Sequence, residues 1–146
     1  MGSENITEII SKLFLSADER DWETTLGIFD EVVLLDYTSM TRGEPAMLDR
    51  EDIVAAWKSF LPGFDSTDHQ LSDFDVKIED DRAEAVFFGH AEHFIYDEIW
   101  IVEGDYETEL VRKNDGWLIN KLKLNLSKQD GNLELPKLAG ERIARK

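Results

Sequence analysis

Between Glu98 and Leu126 the side chains change character at every second residue. Glu103, Asp105, Glu107 and Glu109 fall on one side of an extended strand, and Tyr106, Thr108 and Leu110 fall on the other. After a turn at "NDG" the return strand places Lys121 and Lys123 on one side and Leu118, Leu122, Leu124 and Leu126 on the opposite one. Acids set against lysines and leucines set against apolar partners define a hairpin with a charged outer face and an apolar inner face. Such a sheet must bury its inner face against something, and the residues ahead of it supply helices.

Ser3 to about Arg20 carries Ile6, Ile9, Ile10, Leu13, Phe14 and Ala17 at helical spacing. Asp21 reads as the cap of a second short helix, "WETTLGIF", and Asp49 as the cap of a third, "REDIVAAWKSFL", ended by Pro62 and Gly63. "VVLLDYT" reads as a strand buried on both faces, and "SMTRGEPAML" as a loop. "DHQLSDFDVKIED" is a strand whose apolar phase shifts between Leu71 and Phe74, which implies a bulge. "AEAVFFGHAEHFIY" is a further long strand, and "LPKLAGERIARK" reads as a short C-terminal helix. Helices gathered on one face of a curved antiparallel meander define an α+β fold, and a sheet that curls around them leaves a cone-shaped pocket. Residues 1–146 are expected to form one domain.

The net charge of −16 disfavours nucleic acid and anionic membranes as partners. From Arg112 onward nine Lys/Arg stand against four Asp/Glu, a net of +5 against −21 for the remainder, so a basic tail packing on an acidic body is one reading and simple drift of surface charge the other. There is no cysteine, no secretory leader pattern and no apolar run near the roughly 18 residues of a membrane span, which together point to a cytoplasmic protein. Standard nucleotide, zinc-protease and hydrolase motifs are absent. In "HAEH" the two histidines, His90 and His93, point to opposite faces of a strand and cannot chelate one ion. No metal site is expected.

One feature of the first helix resists a purely structural account. Asp18 lies on the same helical face as Ile10, Phe14 and Trp22, and a buried carboxylate without a partner costs several kcal/mol. It either bonds backbone amides at the helix end before Asp21 or meets a partner from elsewhere in the chain. His69, at the start of a strand, and His93, whose same-phase neighbours Ala83, Ala85, Gly89 and Ala91 leave space, are candidates for chemistry or for packing. Trp57, Phe60, Phe87 and Trp100 read as core.

"DERDWETTLGIFDEVVLLDYTSM", then "TDH", then a strand ending "HFIY", then "RKNDGWLI", resembles the SnoaL-like branch of the nuclear-transport-factor-like superfamily, and within it the scytalone dehydratases. The likeness runs from about residue 6 to residue 126. It implies a cone-shaped sheet packed on about three N-terminal helices, with residues 130–146 as a tail that covers the pocket or serves an oligomer contact. Carried over by position, Asp18 falls on the aspartate that orients the base, His69 on the histidine that acts as general base and then acid, and His93 on a second histidine. Tyr37, in "DYTS", falls on a tyrosine of the polar lining, though it also suits a rim position. The chain departs from the pattern at Ala17, where the family has its other tyrosine, and at Glu107, which aligns with a pocket asparagine. Both departures argue against scytalone itself as substrate.

The resemblance implies a cofactor-independent lyase that removes water from a small hydroxylated cyclic ketone, such as a polyketide intermediate, with a small apolar carbonyl compound as its partner molecule and a dimeric or trimeric assembly. The alternatives are a cyclase or ketosteroid-isomerase-like enzyme, which shares the first proton abstraction, and a non-catalytic ligand-binding or assembly module.

Overall fold

The computed structural model describes residues 3–41, 44–113 and 116–144. Helix α1 (Ser3–Asp18) is followed by α2 (Trp22–Ile28), strand β1 (Phe29–Asp36), a single helical turn α3 (Thr38–Thr41), β2 (Ala46–Asp49) and α4 (Arg50–Lys58). A 3₁₀ turn at Leu61–Gly63 leads into β3 (Ser66–Glu79), β4 (Arg82–Ile95), β5 (Glu98–Lys113) and β6 (Gly116–Gly131), and α5 (Leu135–Ala144) ends the described chain. The six strands form one curved, unclosed sheet in the order β2-β1-β6-β5-β4-β3. The β1–β6 pair is parallel and the other neighbours are antiparallel.

The period-two pattern becomes the core directly. Ala83, Ala85, Phe87, Ala91 and Ile95 of β4, Trp100, Val102, Tyr106 and Leu110 of β5, and Ile119, Leu122 and Leu124 of β6 are buried on one concave face. Helix α1 covers part of that face with Ile6, Ile10, Leu13, Phe14 and Ala17, all buried. Three of these, Ile6, Ile10 and Leu13, are wholly withdrawn from water, each stabilising the fold by about 2 kcal/mol. Ser16 Oγ and Thr25 Oγ1 lie 2.7 Å apart and tie α1 to α2. Asp21 caps α2 as expected, accepting from the Thr24 amide at 3.3 Å. On the convex face Glu109 pairs with Lys121 and Glu107 with Lys123 across the β5–β6 ladder.

Three expectations change. The β5–β6 register slips between Glu109 and Leu110, opposite Asn120, so Ile119 turns inward and Leu118 is only half-buried. A bulged strand gains one residue, and every side chain beyond it exchanges faces. The corresponding slip in β3 falls between Ser72 and Asp75, where Asp73 adopts a φ of 58°, as the sequence implied. Strand β1 is not buried on both faces, because Val32 is 43% exposed. Its covering neighbour β2 is a four-residue edge strand that forms, together with α3, where a plain loop was expected. Asn114 and Asp115 of the expected "NDG" turn, and Arg42 and Gly43 of the expected loop, lie outside the described residues.

The C-terminal tail is a helix, and it docks on the 3₁₀ turn. Arg142 donates to the Gly63 carbonyl and to Asp65 Oδ1, both at 2.9 Å, so a basic tail residue does meet an acid of the body. Leu135 and Ala139 form the buried side of α5. A Cβ built on Gly63 would lie 2.1 Å from the Ala139 carbonyl oxygen, so the backbones touch there. Gly63→Ala is therefore expected to push α5 away and to destabilise the protein by about 1–3 kcal/mol, read as a lowered Tm and faster proteolysis within residues 132–144. Among the described residues no helix is long and apolar enough to cross a membrane.

Candidate active site

Helix α1 ends in a Schellman motif, and that motif aims Asp18. The Arg20 amide donates to the Ala17 carbonyl at 3.2 Å and the Asp21 amide to the Ser16 carbonyl at 2.8 Å, with Arg20 in the left-handed region at φ 61°. A non-glycine residue is held there because its side chain is anchored. The Arg20 guanidinium donates to the Ala17 carbonyl (3.0 Å), to Thr67 Oγ1 (2.9 Å) and to the Leu61 carbonyl (2.9 Å), joining α1 to the 3₁₀ turn and β3.

Asp18 uses both oxygens on β3 and none on the helix end. Oδ1 lies 2.6 Å from His69 Nδ1 and accepts from Thr67 Oγ1 at 2.8 Å, while Oδ2 accepts from the His69 amide at 2.8 Å. Burial pushes the Asp18 carboxyl upward, but its hydrogen bonds and attraction to His69, with the Thr67 hydroxyl, outweigh burial and hold it below the ordinary carboxylate range. A carboxylate at Nδ1 makes that nitrogen the donor, so Nε2 of His69 is the atom left for the cavity.

That cavity has a volume of about 440 Å³ and lies between α1, α3, α4, the concave sheet face and the start of α5. Its polar lining consists of Tyr37, His69, His93, Tyr106 and Gln129, and among the described lining residues none is Lys, Arg, Asp or Glu. Asp18 is thus withheld behind His69. Such a volume lies within the range of small-molecule pockets.

His93 is 5% exposed and sits among rings: its centroid is 4.4 Å from Trp100, 4.9 Å from Phe64 and 6.0 Å from His69. Its Nδ1 donates to the Trp100 carbonyl at 3.1 Å, which leaves Nε2 with a lone pair. Burial, followed by the neighbouring His69, pushes His93 down to about 4. The unfolded chain therefore binds a proton at residue 93 that the folded chain refuses. Stability is complete above the ordinary histidine value of 6.5, falls as pH drops through the window to about 4, and levels there. The displacement corresponds to about 3 kcal/mol. Urea titrations at pH 7 and 4.5 are expected to show this loss in the wild type and its absence in His93→Gln. The difference between the two proteins cancels His90, which carries the opposite dependence because its hydrogen bonds to Glu92 and Glu103 raise it.

The structure brings all four sequence candidates, Asp18, Tyr37, His69 and His93, to one place. It separates His90, which points outward to Glu103 (2.5 Å) and Glu92 (2.9 Å). Glu107 also turns outward, accepting from Asn125 at 2.7 Å, so it does not take a pocket asparagine's place. Trp57, Phe60 and Trp100, read from the sequence as core, line the cavity, whereas Phe87 stays in the core. Tyr106 lines it too, and no sequence argument singled it out, although its phase on the apolar face of β5 was the available signal. Its phenol neighbours that of Tyr37 closely enough for each to perturb the other's ionisation. Among the described residues no group of three or more His, Asp or Glu side chains is placed to hold a metal ion.

Residues 3–123 match the SnoaL-like domain. No curated protein matches the chain. Among solved structures, the Kfla4162 protein of Kribbella flavida is similar at 27% identity and a TM-score of 0.86, over 92% of this chain and 95% of that one. A Novosphingobium aromaticivorans protein described as a candidate scytalone dehydratase shares the fold at 17% identity, with a TM-score of 0.75 over 88% and 86% of the two chains. The LinA-type3 hexachlorocyclohexane dehydrochlorinase of Novosphingobium barchaimii shares it at 12% identity, with a TM-score of 0.72 over 89% of each. With its family match spanning most of the sequence and a curved sheet shared with these proteins, the chain belongs to the SnoaL-like domain family.

Proposed function

We propose that the protein is a cofactor-independent hydro-lyase acting on a small, neutral, hydroxylated cyclic ketone. The observation that carries this reading is the Asp18–His69 pair, 2.6 Å apart, with His69 on the wall of an uncharged, largely apolar cavity. His69 Nε2 takes the proton α to the carbonyl, and Asp18 holds the ring and stabilises the imidazolium that forms. Tyr37 donates to the carbonyl oxygen as it becomes enolate-like. The enolate electrons then form the carbon–carbon double bond, the β carbon–oxygen bond breaks, and the imidazolium proton leaves with the hydroxide as water. His93, neutral and with Nε2 bare, accepts a hydrogen bond from the substrate's hydroxyl and orients the leaving group. It serves as an acceptor and not as the acid, because burial keeps it unprotonated at neutral pH.

Support comes also from the dehydratase and dehydrochlorinase descriptions among the structural neighbours, since both are eliminations. Pro136 at the start of α5 borders the cavity, in keeping with residues 130–146 acting as its cover within one domain. A cytoplasmic location and self-association through the convex sheet face, into a dimer or trimer, belong to the same proposal, and sedimentation measures the latter.

The test is proton exchange at carbon. In D₂O, 1H NMR of a panel of cyclic ketones with and without a β-hydroxyl is expected to show loss of the α-proton signal with the wild type and not with His69→Ala. Release of an enone from the hydroxylated members identifies elimination. Double-bond migration without loss of water identifies the isomerase alternative. No exchange with any ketone leaves a binding module.

A further inference from the structure

Tyr106 and Gly89 form a feature that the proton-transfer residues leave unexplained. Gly89 sits in the interior of β4 on its concave face, where a missing side chain costs stability. A Cβ built there would lie 2.5 Å from Cε2 and 3.0 Å from Cδ2 of Tyr106. The absent side chain is therefore the seat of this ring. The remaining sides are closed by aromatic groups: Phe87 stacks on Tyr106 at 5.1 Å with 9° between the planes, and Phe14 meets it edge-on at 5.3 Å. Phe14 in turn lies 5.1 Å from His69, so one aromatic packing fixes both the phenol and the base.

A ring held this firmly delivers its hydroxyl to a set place, and that place is beside Tyr37 on the cavity wall. An enolate oxygen accepts more than one hydrogen bond. Two N–H groups on the wall are committed elsewhere, Trp100 Nε1 to Gln129 Oε1 at 2.9 Å and His93 Nδ1 to the Trp100 carbonyl at 3.1 Å. On the footing of the proton abstraction proposed for His69, we infer that Tyr106 is the second hydrogen-bond donor to the substrate's carbonyl oxygen and that Gly89 is its positioning residue. Burial pushes the Tyr106 phenol up to about 12, against the pull of its Tyr37 contact, so it stays protonated and able to donate.

The probe is 2-naphthol, whose naphtholate oxygen imitates an enolate and whose ionised form is distinct in absorbance and fluorescence. The wild type is expected to bind it saturably and to favour the naphtholate. Tyr106→Phe, which keeps the ring and its packing, is expected to weaken naphtholate binding about tenfold or more. Gly89→Ala is expected to weaken it in the same direction, with little further loss when combined with Tyr106→Phe, because the two act through one hydroxyl. In wild-type protein carrying 13Cζ-tyrosine, naphthol is expected to move the resonances of Tyr37 and Tyr106 and to leave Tyr96, which is 83% exposed, in place. That measurement holds whether or not a variant folds. Equal affinity in Tyr106→Phe, an unmoved Tyr106 resonance, or no saturable binding to the wild type overturns the inference. If Tyr106→Phe weakens binding while no ketone undergoes exchange, the donor pair stands and the lyase reading falls.

Discussion

Alanine at position 69 is expected to lower turnover by about two to four orders of magnitude with little change in fold. The size follows from what is removed. His69 supplies the atom that takes the carbon-bound proton and the proton that later leaves as part of water, and neither His93 nor a tyrosine can replace both. His93 is held neutral, at about 4, and already donates Nδ1 to the Trp100 carbonyl. Tyr37 is raised well above its ordinary value, chiefly by burial, so it stays protonated and offers no phenolate to take the proton. Steady-state kinetics on any ketone that exchanges its α-proton checks this, with circular dichroism as the control for folding. A His69→Ala protein that exchanges the proton at the wild-type rate removes the base assignment.

Asp18→Ala is expected to cost both stability, by about 3 kcal/mol or more, and most of the activity. One carboxylate with a side chain only 10% exposed satisfies three donors, namely the Thr67 hydroxyl, the His69 amide and the His69 ring. Removing it strands all three at the junction of α1 and β3 and leaves the Arg20 guanidinium without its nearby negative charge. Asp18→Asn separates the two losses. It retains an oxygen for one donor but no charge to stabilise the imidazolium, so it is expected to recover part of the stability and little of the rate. Urea denaturation at pH 7 gives the first quantity and single-substrate kinetics the second. Lowering the pH is expected to reproduce the Asp18 effect. A carboxyl held below its ordinary value stabilises the fold fully above that value, and the contribution is lost as pH falls through the depressed folded value.

The sequence by itself determined the long elements and most of their faces. Period-two alternation over β5 and over β6 beyond Asn120 specified which side of each strand would be buried, because the pleat leaves no third option. The apolar stripe of α1 did the same for the helix, and the phase slip between Leu71 and Phe74 marked the β3 bulge. Asp18 stood out because an acid on an apolar stripe is costly unless paired. What local pattern could not carry was anything depending on residues distant in the chain. Asn120 gives no signal of a bulge, so Ile119 and not Leu118 enters the core only because Leu110 pairs with it. Strand β2 is three exposed residues and a half-buried Leu48, and they become a strand only through β1. Trp57, Phe60 and Trp100 have the composition of core, and the curvature of the sheet, not their chemistry, leaves a cavity against them. Asp18 meets His69 across 51 residues, and Tyr106 finds room because Gly89 lies beneath it on the neighbouring strand. Backbone periodicity is a short-range property and can be read along the chain. Which side chains share a cavity depends on strand register and sheet curvature, and the tertiary structure alone decides those.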